Sequence, residues 1–318
     1  MSPRLIPTGK AQPETLESRA RAAYLGLALG DALGATVEFM TPAEIRHKHG
    51  MHDRIIGGGW LRLKPGHVTD DTTMALALGE AMLEAGADFS ALHAARAFDR
   101  WMAGKPVDIG NTVRHGILRF RRTGETAMPY DEQAGGNGAC MRVLPVALAS
   151  VGEDDALLER ACLAQAHVTH HQDQSDAATL CVARMVRDAV LGADIGDLHH
   201  HCVAPLIAAH PAFAFRGRRQ ENPSGYVVDT LRAVLQALFE HDDFEPTLVD
   251  VVNRGGDADT TGAISGMIAG ALYGEASLPE RWLRALDPAV RACCIVQAEA
   301  LLRCPPMGEA ITASTVSL

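Results

Sequence analysis

The sequence predicts an all-α fold, a single compact helical domain built around a central cleft. Three observations predict it. The chain of 318 residues is 47% hydrophobic but only 5% aromatic. Alanine, leucine and glycine dominate its apolar part, which suits close-packed helices better than strands, whose faces favour branched and aromatic side chains. Glycines recur every fourth residue in two apolar segments, at Gly26, Gly30 and Gly34 and at Gly262, Gly266, Gly270 and Gly274. Residues four apart share one helix face, so each set makes a smooth stripe that another backbone can approach closely. The remaining apolar segments also repeat mostly with helical spacing. No linker rich in Pro, Ser or charge divides the chain, and no solenoid-length repeat is visible. The domain is expected over residues 18–304, between an N-terminal extension (1–17) and a C-terminal tail (305–318).

Composition removes several functional classes. The net charge is −10 and the pI about 5.8, a balance that argues against non-specific binding to nucleic acid or anionic membrane. Seven cysteines include no C-x-x-C pair. Cys140, Cys162, Cys181 and Cys202 stand in apolar surroundings and read as reduced core thiols. The polar start of the chain carries no signal core, and its apolar runs fall short of the ~20 residues that span a bilayer. These features predict a cytoplasmic protein with no nucleic-acid partner and no direct membrane insertion.

Taken in order, the first helix is expected over Arg19–Leu33. Its glycine stripe and that of the segment after Gly262 put both helices in the centre, against each other. Glu38 follows in an otherwise apolar and small stretch. Thr41-Pro42-Ala43-Glu44 has the form of a helix start, with a capping threonine and proline in the first turn. Gly57-Gly58-Gly59-Trp60 is a flexible loop. Trp60 there can stack on a base, or the segment is a plain surface loop. Helices are expected over Thr72–Ala85, Ala91–Met102 and Thr112–Phe120, and Asp108 either caps the last of these or does chemistry. Gly135-Gly136-Asn137-Gly138 opens a helix expected over Ala139–Ala149, where free N–H groups can hold a phosphate. It matches neither G-x-x-x-x-G-K-[ST] nor G-x-G-x-x-G, and no serine sits in a G-x-S-x-G elbow. His167, His170 and His171 lie between two helices without H-E-x-x-H spacing; they are structural or substrate-orienting, with zinc as the rival use. His199-His200-His201 reads as a solvated turn. A helix over Val227–Phe239 and one or two beyond Pro279 complete the chain.

The chemistry concentrates in two stretches. Val68-Thr69-Asp70-Asp71-Thr72-Thr73 and Gly255-Gly256-Asp257-Ala258-Asp259-Thr260-Thr261 each put two carboxylates and neighbouring hydroxyls at the start of an apolar helix. Either alone would serve as an ordinary helix cap. A cap needs one carboxylate, however, and crowded anions are costly without a counter-charge. Four carboxylates with no cysteine form a hard oxygen donor set that suits Mg²⁺ or Mn²⁺ rather than zinc. Joined, the clusters would make a two-metal site.

These residues carry a resemblance. Gly30-Asp31-Ala32-Leu33-Gly34-Ala35 with Glu38, Thr69-Asp70-Asp71-Thr72, Gly136-Asn137-Gly138 and Gly255-Gly256-Asp257-Ala258-Asp259-Thr260 resemble, in order, the motifs of the ADP-ribosylglycohydrolase family. Gly57-Gly58-Gly59-Trp60-Leu61, Pro106-Val107-Asp108-Ile109-Gly110 and Ser224-Gly225-Tyr226 are similar to its dinitrogenase reductase-activating branch. The resemblance implies a binuclear Mn²⁺ or Mg²⁺ centre held by Thr69, Asp70, Asp71, Asp257, Asp259 and Thr260. It implies hydrolysis of the N-glycosidic bond between arginine and ADP-ribose; the rival readings are the same fold acting on serine-linked ADP-ribose or a small ADP-ribosylated metabolite, and a non-catalytic protein that binds metal or ADP-ribose. Asp108 would handle the ribose and Glu38 would approach the metals. Asn137 and Gly138 would face the diphosphate, His170 the substrate, and Tyr226 the adenosine portion. The implied partners are an ADP-ribosylated protein, dinitrogenase reductase for the narrower branch, ADP-ribose as product, and a regulatory signalling protein.

Overall fold

The structure, a computed structural model, describes residues 15–305. The expected N-terminal extension and C-terminal tail lie almost entirely outside the described residues. Among those described, every regular element is helical; β pairing is confined to two isolated bridges, Gly58 with Leu63 and Gly136 with Tyr226. Helices α1 (Leu16–Gly34) and α2 (Pro42–His49) precede α3 (Asp70–Ala85), α4 (Ala91–Ala103) and α5 (Asn111–Thr123). Short α6 (Gly138–Met141) and α7 (Leu144–Ala149) lead to α8 (Asp155–Ala166) and α9 (Asp173–Val190). After α10 (Ile195–Leu198) and α11 (Ala204–Ala209) come α12 (Val227–Glu240), α13 (Phe244–Val252) and α14 (Ala258–Tyr273). Two further helices, α15 (Glu280–Ala285) and α16 (Pro288–Leu302), complete the described chain.

The two glycine stripes meet at the centre, as the spacing predicts. Helices α1 and α14 run antiparallel, with Gly26 on Gly266, Gly30 on Gly262 and Gly34 on Ala258. A Cβ added at Gly30 would stand 2.0 Å from the Gly262 carbonyl oxygen. Such close packing offsets the ~1 kcal/mol that each helical glycine costs relative to alanine. Both helices are buried along nearly their whole length, so neither needs the apolar stripe of a surface helix.

Local signals set most element ends. Thr15 caps α1 by accepting from the Ser18 N–H (3.1 Å), so the helix begins three residues before Arg19. Thr41 and Glu44 form a reciprocal capping box at the start of α2. Helix α3 begins at Asp70 rather than Thr72 because Thr69 is its N-cap, which brings both acids of the first cluster into the first turn.

Two expectations need correction. The single helix expected over Ala139–Ala149 is broken into α6 and α7 at Arg142–Val143. Pro145 lacks the N–H that a continuous helix would require there, and its ring crowds the preceding turn. The histidines at 199–201 lie in a helical turn that joins α10 to α11, and of the three only His199 departs from the expected exposure. His199 packs edge-on against Phe239 and Phe215, while His200 and His201 are exposed. The seven cysteines are all free, and Cys140, Cys162, Cys181 and Cys202 are buried as expected. No helix among the described residues is long and apolar enough to cross a membrane.

Candidate active site

Both acidic clusters are delivered to the C-terminal end of α1. Asp31, in the last turn of α1, is wholly buried. Its carboxylate accepts from the Thr69 N–H (3.0 Å), the Thr72 N–H (3.1 Å) and the Thr72 hydroxyl (2.5 Å). That anchors the first turn of α3 on α1. Just beyond α1, the Phe39 N–H donates to the Gly256 carbonyl (2.7 Å), and the Gly256 N–H donates to the Met40 carbonyl (3.0 Å). Gly255 and Gly256 both have positive φ, +72° and +65°, and a Cβ on either would stand 2.1 Å from a carbonyl oxygen. Only glycine fits those two positions. The start of α14 is thereby zipped beside Glu38. The clusters then touch: Thr260 Oγ1 lies 3.3 Å from Asp71 Oδ2, and Thr69 Oγ1 3.1 Å from the same oxygen.

The meeting point is the floor of a cleft of about 510 Å³. Glu38, Asp70, Asp108, Asp257, Asp259 and Thr260 line it, together with Trp60, Asn137, Gly138 and His170. Thr69 and Asp71 are buried behind this wall. Carboxylate oxygens of Glu38, Asp108 and Asp259 lie within 4.8 Å of one another. The Asn137 amide donates to Asp257 (2.5 Å) and to the Thr230 hydroxyl (2.9 Å). Tyr226 is exposed and does not line the cleft; it follows the lining residue Gly225, with its ring on Gly135 and its hydroxyl bonded to Gln174. The Trp60 indole N–H donates to Glu38 (2.6 Å), and its ring leans on exposed Phe39, with centroids 5.4 Å apart. A larger groove, about 910 Å³, runs between α3, α4 and α16 past Trp101 and Cys293. It holds none of the clustered acids, so the smaller cleft is the candidate site.

Burial dominates the electrostatics. It pushes Glu38 up to about 8, helped by the charges of Asp257, Asp108 and Asp70 and opposed by the Trp60 hydrogen bond. Burial, then repulsion from Asp108 and Asp31, raises Asp70 to about 7. Asp71 and Asp259 are held well above the usual carboxylate range, and Asp257 is raised, all chiefly by burial. The N-terminal ends of α3 and α14 offset only part of this charge. Asp71 Oδ1 and Asp259 Oδ1 are buried without a hydrogen-bond partner among the described residues. Unpaired carboxylate oxygens are costly in a protein interior. Crowded, desolvated, all-oxygen donors with orphaned lone pairs fit a hard divalent cation.

Asp108 is not the cap of α5. Gly110 occupies the N-cap position with no side-chain bond, and the Asp108 carboxylate accepts instead from the Ile109 N–H (2.7 Å). The capping alternative therefore fails for this residue. The histidines do not converge as a zinc set. His167 pairs with Asp176 (2.9 Å), His171 with the Met128 carbonyl (2.7 Å), and His170 with Thr169 (2.8 Å). A second group of possible ligands, Glu240, His241 and Asp250, is an ion-pair network in which Asp250 holds Arg219 and Arg254. Asp31, read from the sequence only within a motif and without a role, anchors the site from outside the cleft. A lone carboxylate inside an apolar helix was its signal, since such a group must find donors.

Residues 12–308 match the family model described as ADP-ribosylglycohydrolase. The chain is 46% identical over 288 residues to the ADP-ribosyl-[dinitrogen reductase] glycohydrolase of Rhodospirillum rubrum, spanning 91% of this chain and 97% of that protein. It is 34% identical to an ADP-ribosylarginine hydrolase of Pseudomonas putida, over 85% of this chain and 75% of the relative. A solved structure titled ADP-ribosylglycohydrolase-related protein complex superposes with a TM-score of 0.80 at 36% identity, covering 91% of this chain and 98% of that one.

Proposed function

Because the chain belongs to the ADP-ribosylglycohydrolase family, we propose that it hydrolyses the N-glycosidic bond between ADP-ribose and a protein arginine, with two Mn²⁺ or Mg²⁺ ions as cofactor. The observation that carries this reading is the meeting of both acidic clusters with Asp108 and Glu38 in a cleft edged by a glycine loop. The names of relatives at 46% and 34% identity support the arginine linkage. The first of those names also supports dinitrogenase reductase as the protein substrate; a regulatory signalling protein as a further partner is part of the proposal only.

Thr69, Asp70, Asp71, Asp257, Asp259 and Thr260 would hold the ions, which supply Lewis acidity toward the ribose oxygens and the attacking water. The other residues act around them. Cleavage gathers positive charge on the anomeric carbon, and the Asp108 carboxylate, with Glu38 beside it, faces that charge. The arginine leaves as a neutral guanidine that takes up a proton, while the attacking water gives one up. We assign that transfer to Asp108, whose half-buried carboxylate keeps one oxygen free of the Ile109 N–H. Trp60 holds one oxygen of Glu38 through its indole N–H and walls the cleft mouth. Asn137, Gly138 and His170 receive the diphosphate side, and Tyr226 flanks the adenosine portion.

The test compares ADP-ribose release from an arginine-modified and a serine-modified protein. The arginine-linked substrate should be cleared and the serine-linked one should persist. Faster release from serine would reject the linkage while leaving the fold and the cleft as described. Modified dinitrogenase reductase should be processed faster than an unrelated arginine-modified protein; equal rates would reject it as the specific target.

A further inference from the structure

We propose that buried Arg142 and Thr169 set the tautomer of His170, so that its Nε2–H is a fixed donor into the cleft for an oxygen of an anionic substrate. The chain of bonds runs in one direction only. The Ala139 carbonyl can only accept, and it takes the Gln165 side-chain N–H (3.0 Å). That fixes the Gln165 amide, whose oxygen then accepts from Arg142 Nε (2.8 Å). Arginine has no acceptor. One of its terminal nitrogens donates to both the Gln165 carbonyl (2.9 Å) and Thr169 Oγ1 (2.8 Å). The Thr169 hydroxyl, already accepting, has one proton to give, and its other partner is His170 Nδ1 at 2.8 Å.

All four side chains are buried, with Arg142, Gln165 and Thr169 at 0% exposure and His170 at 2%. An O–H without an acceptor is disfavoured in such surroundings. His170 Nδ1 must therefore accept, and the proton of the neutral ring resides on Nε2.

A doubly protonated ring is excluded by the same geometry. It would aim an Nδ1–H at Thr169 and leave the hydroxyl proton without an acceptor. It would also add a cation beside Arg142, which stacks over Phe98 (4.2 Å) and has no ion-pair partner among the described residues. Burial, reinforced by the charge of Arg142, keeps His170 far below its ordinary range, at about 3. The Nε2 edge lies on the glycine loop, 2.9 Å from where a Cβ of Gly136 would stand, so residues at 136 and 138 without side chains leave it room. A protonated Nε2 cannot ligate a metal or act as a base; it donates. Arg142 and Thr169 are thus positioning residues. Taking the diphosphate of ADP-ribose as the acceptor rests on the functional reading above, whereas the tautomer does not.

The experiment is ¹⁵N NMR of the full chain with labelled histidine, with the His170 signals identified by His170→Gln. The wild type should show Nε2 protonated and Nδ1 bare, unchanged from pH 8 to pH 5. Thr169→Ser keeps the hydroxyl and should keep that pattern. Thr169→Val should lose the single tautomer and bind ADP-ribose roughly tenfold more weakly, the scale of one hydrogen bond to a charged group. A wild-type ring protonated on Nδ1 overturns the proposal. So does a folded Thr169→Val protein with an unchanged tautomer. If Thr169→Val does not fold, the wild-type spectrum decides alone. An intact tautomer with no ADP-ribose binding by the wild type would reject the functional reading and leave the relay standing.

Discussion

Asp108 shows how a single residue separates chemistry from structure. Its carboxylate neither caps α5 nor pairs with a cation among the described residues; it bonds the adjacent Ile109 N–H and otherwise faces the cleft. Asp108→Asn keeps the shape and an acceptor oxygen for that bond, so the melting temperature should stay within about 2 °C of wild type. The amide cannot carry a proton, a role typically worth 10²–10⁴-fold in rate. Turnover of an arginine-linked substrate should fall by about that factor, while ADP-ribose and the proposed metal ions still bind. Near-normal turnover in a folded Asp108→Asn protein would move the proton-handling role to Glu38. Asp31 belongs to the same scale for the opposite reason. It touches no part of the cleft, yet its three donors hold the acids of α3 in register with those of α14.

At the scale of elements, the α1–α14 pair is the scaffold on which the site depends. Adding a methyl group at Gly30 would drive it into the Gly262 backbone, 2.0 Å from its carbonyl oxygen. A backbone cannot rotate aside as a flexible side chain can. Gly30→Ala should therefore cost at least the 1–3 kcal/mol typical of overpacking, a fall of about 2–4 °C in Tm per kcal/mol for a domain of this size. Because both acidic clusters hang from this pair, activity should fall with it. Gly110→Ala is the control: its φ is −62° and an added Cβ would meet nothing nearer than Val113, at 3.9 Å. Thermal melts of the two variants decide the matter, and equal melting temperatures would refute the close-packed scaffold.

At the scale of the whole molecule, stability and cation binding are linked. Burial and mutual repulsion raise the site carboxylates, and two of their oxygens have no partner among the described residues. A dication that binds only the folded state relieves that crowding and stabilises by mass action, about 2.7 kcal/mol at a hundred times its Kd. Chelator-treated protein should melt at a lower temperature, and Mn²⁺ or Mg²⁺ should restore it with two ions per chain by calorimetry. No shift with either ion would reject the metal assignment. Stoichiometric zinc on His167 and His170 would reject it too, although His167 is held by Asp176 and His170 by Thr169.

The sequence by itself determined what kind of chemistry and packing this chain can support. Donor type belongs to the residue, so Asp70, Asp71, Asp257 and Asp259 announced a hard-cation set. Four-residue glycine spacing belongs to the helix, so the stripes at Gly26–Gly34 and Gly262–Gly274 announced a close helix pair. Tertiary structure alone decided which groups meet. That Thr260 reaches Asp71 across 189 residues, that Asp108 faces the cleft instead of capping α5, that Asp31 anchors α3, and that Arg142 reaches Thr169 beneath His170 all follow from how distant segments pack. The break between α6 and α7 lay within reach, since Pro145 carries its own reason. The direction of a hydrogen-bond relay did not, because a proton's position follows from which donors and acceptors are brought together, and sequence spacing does not encode that for residues in separate segments.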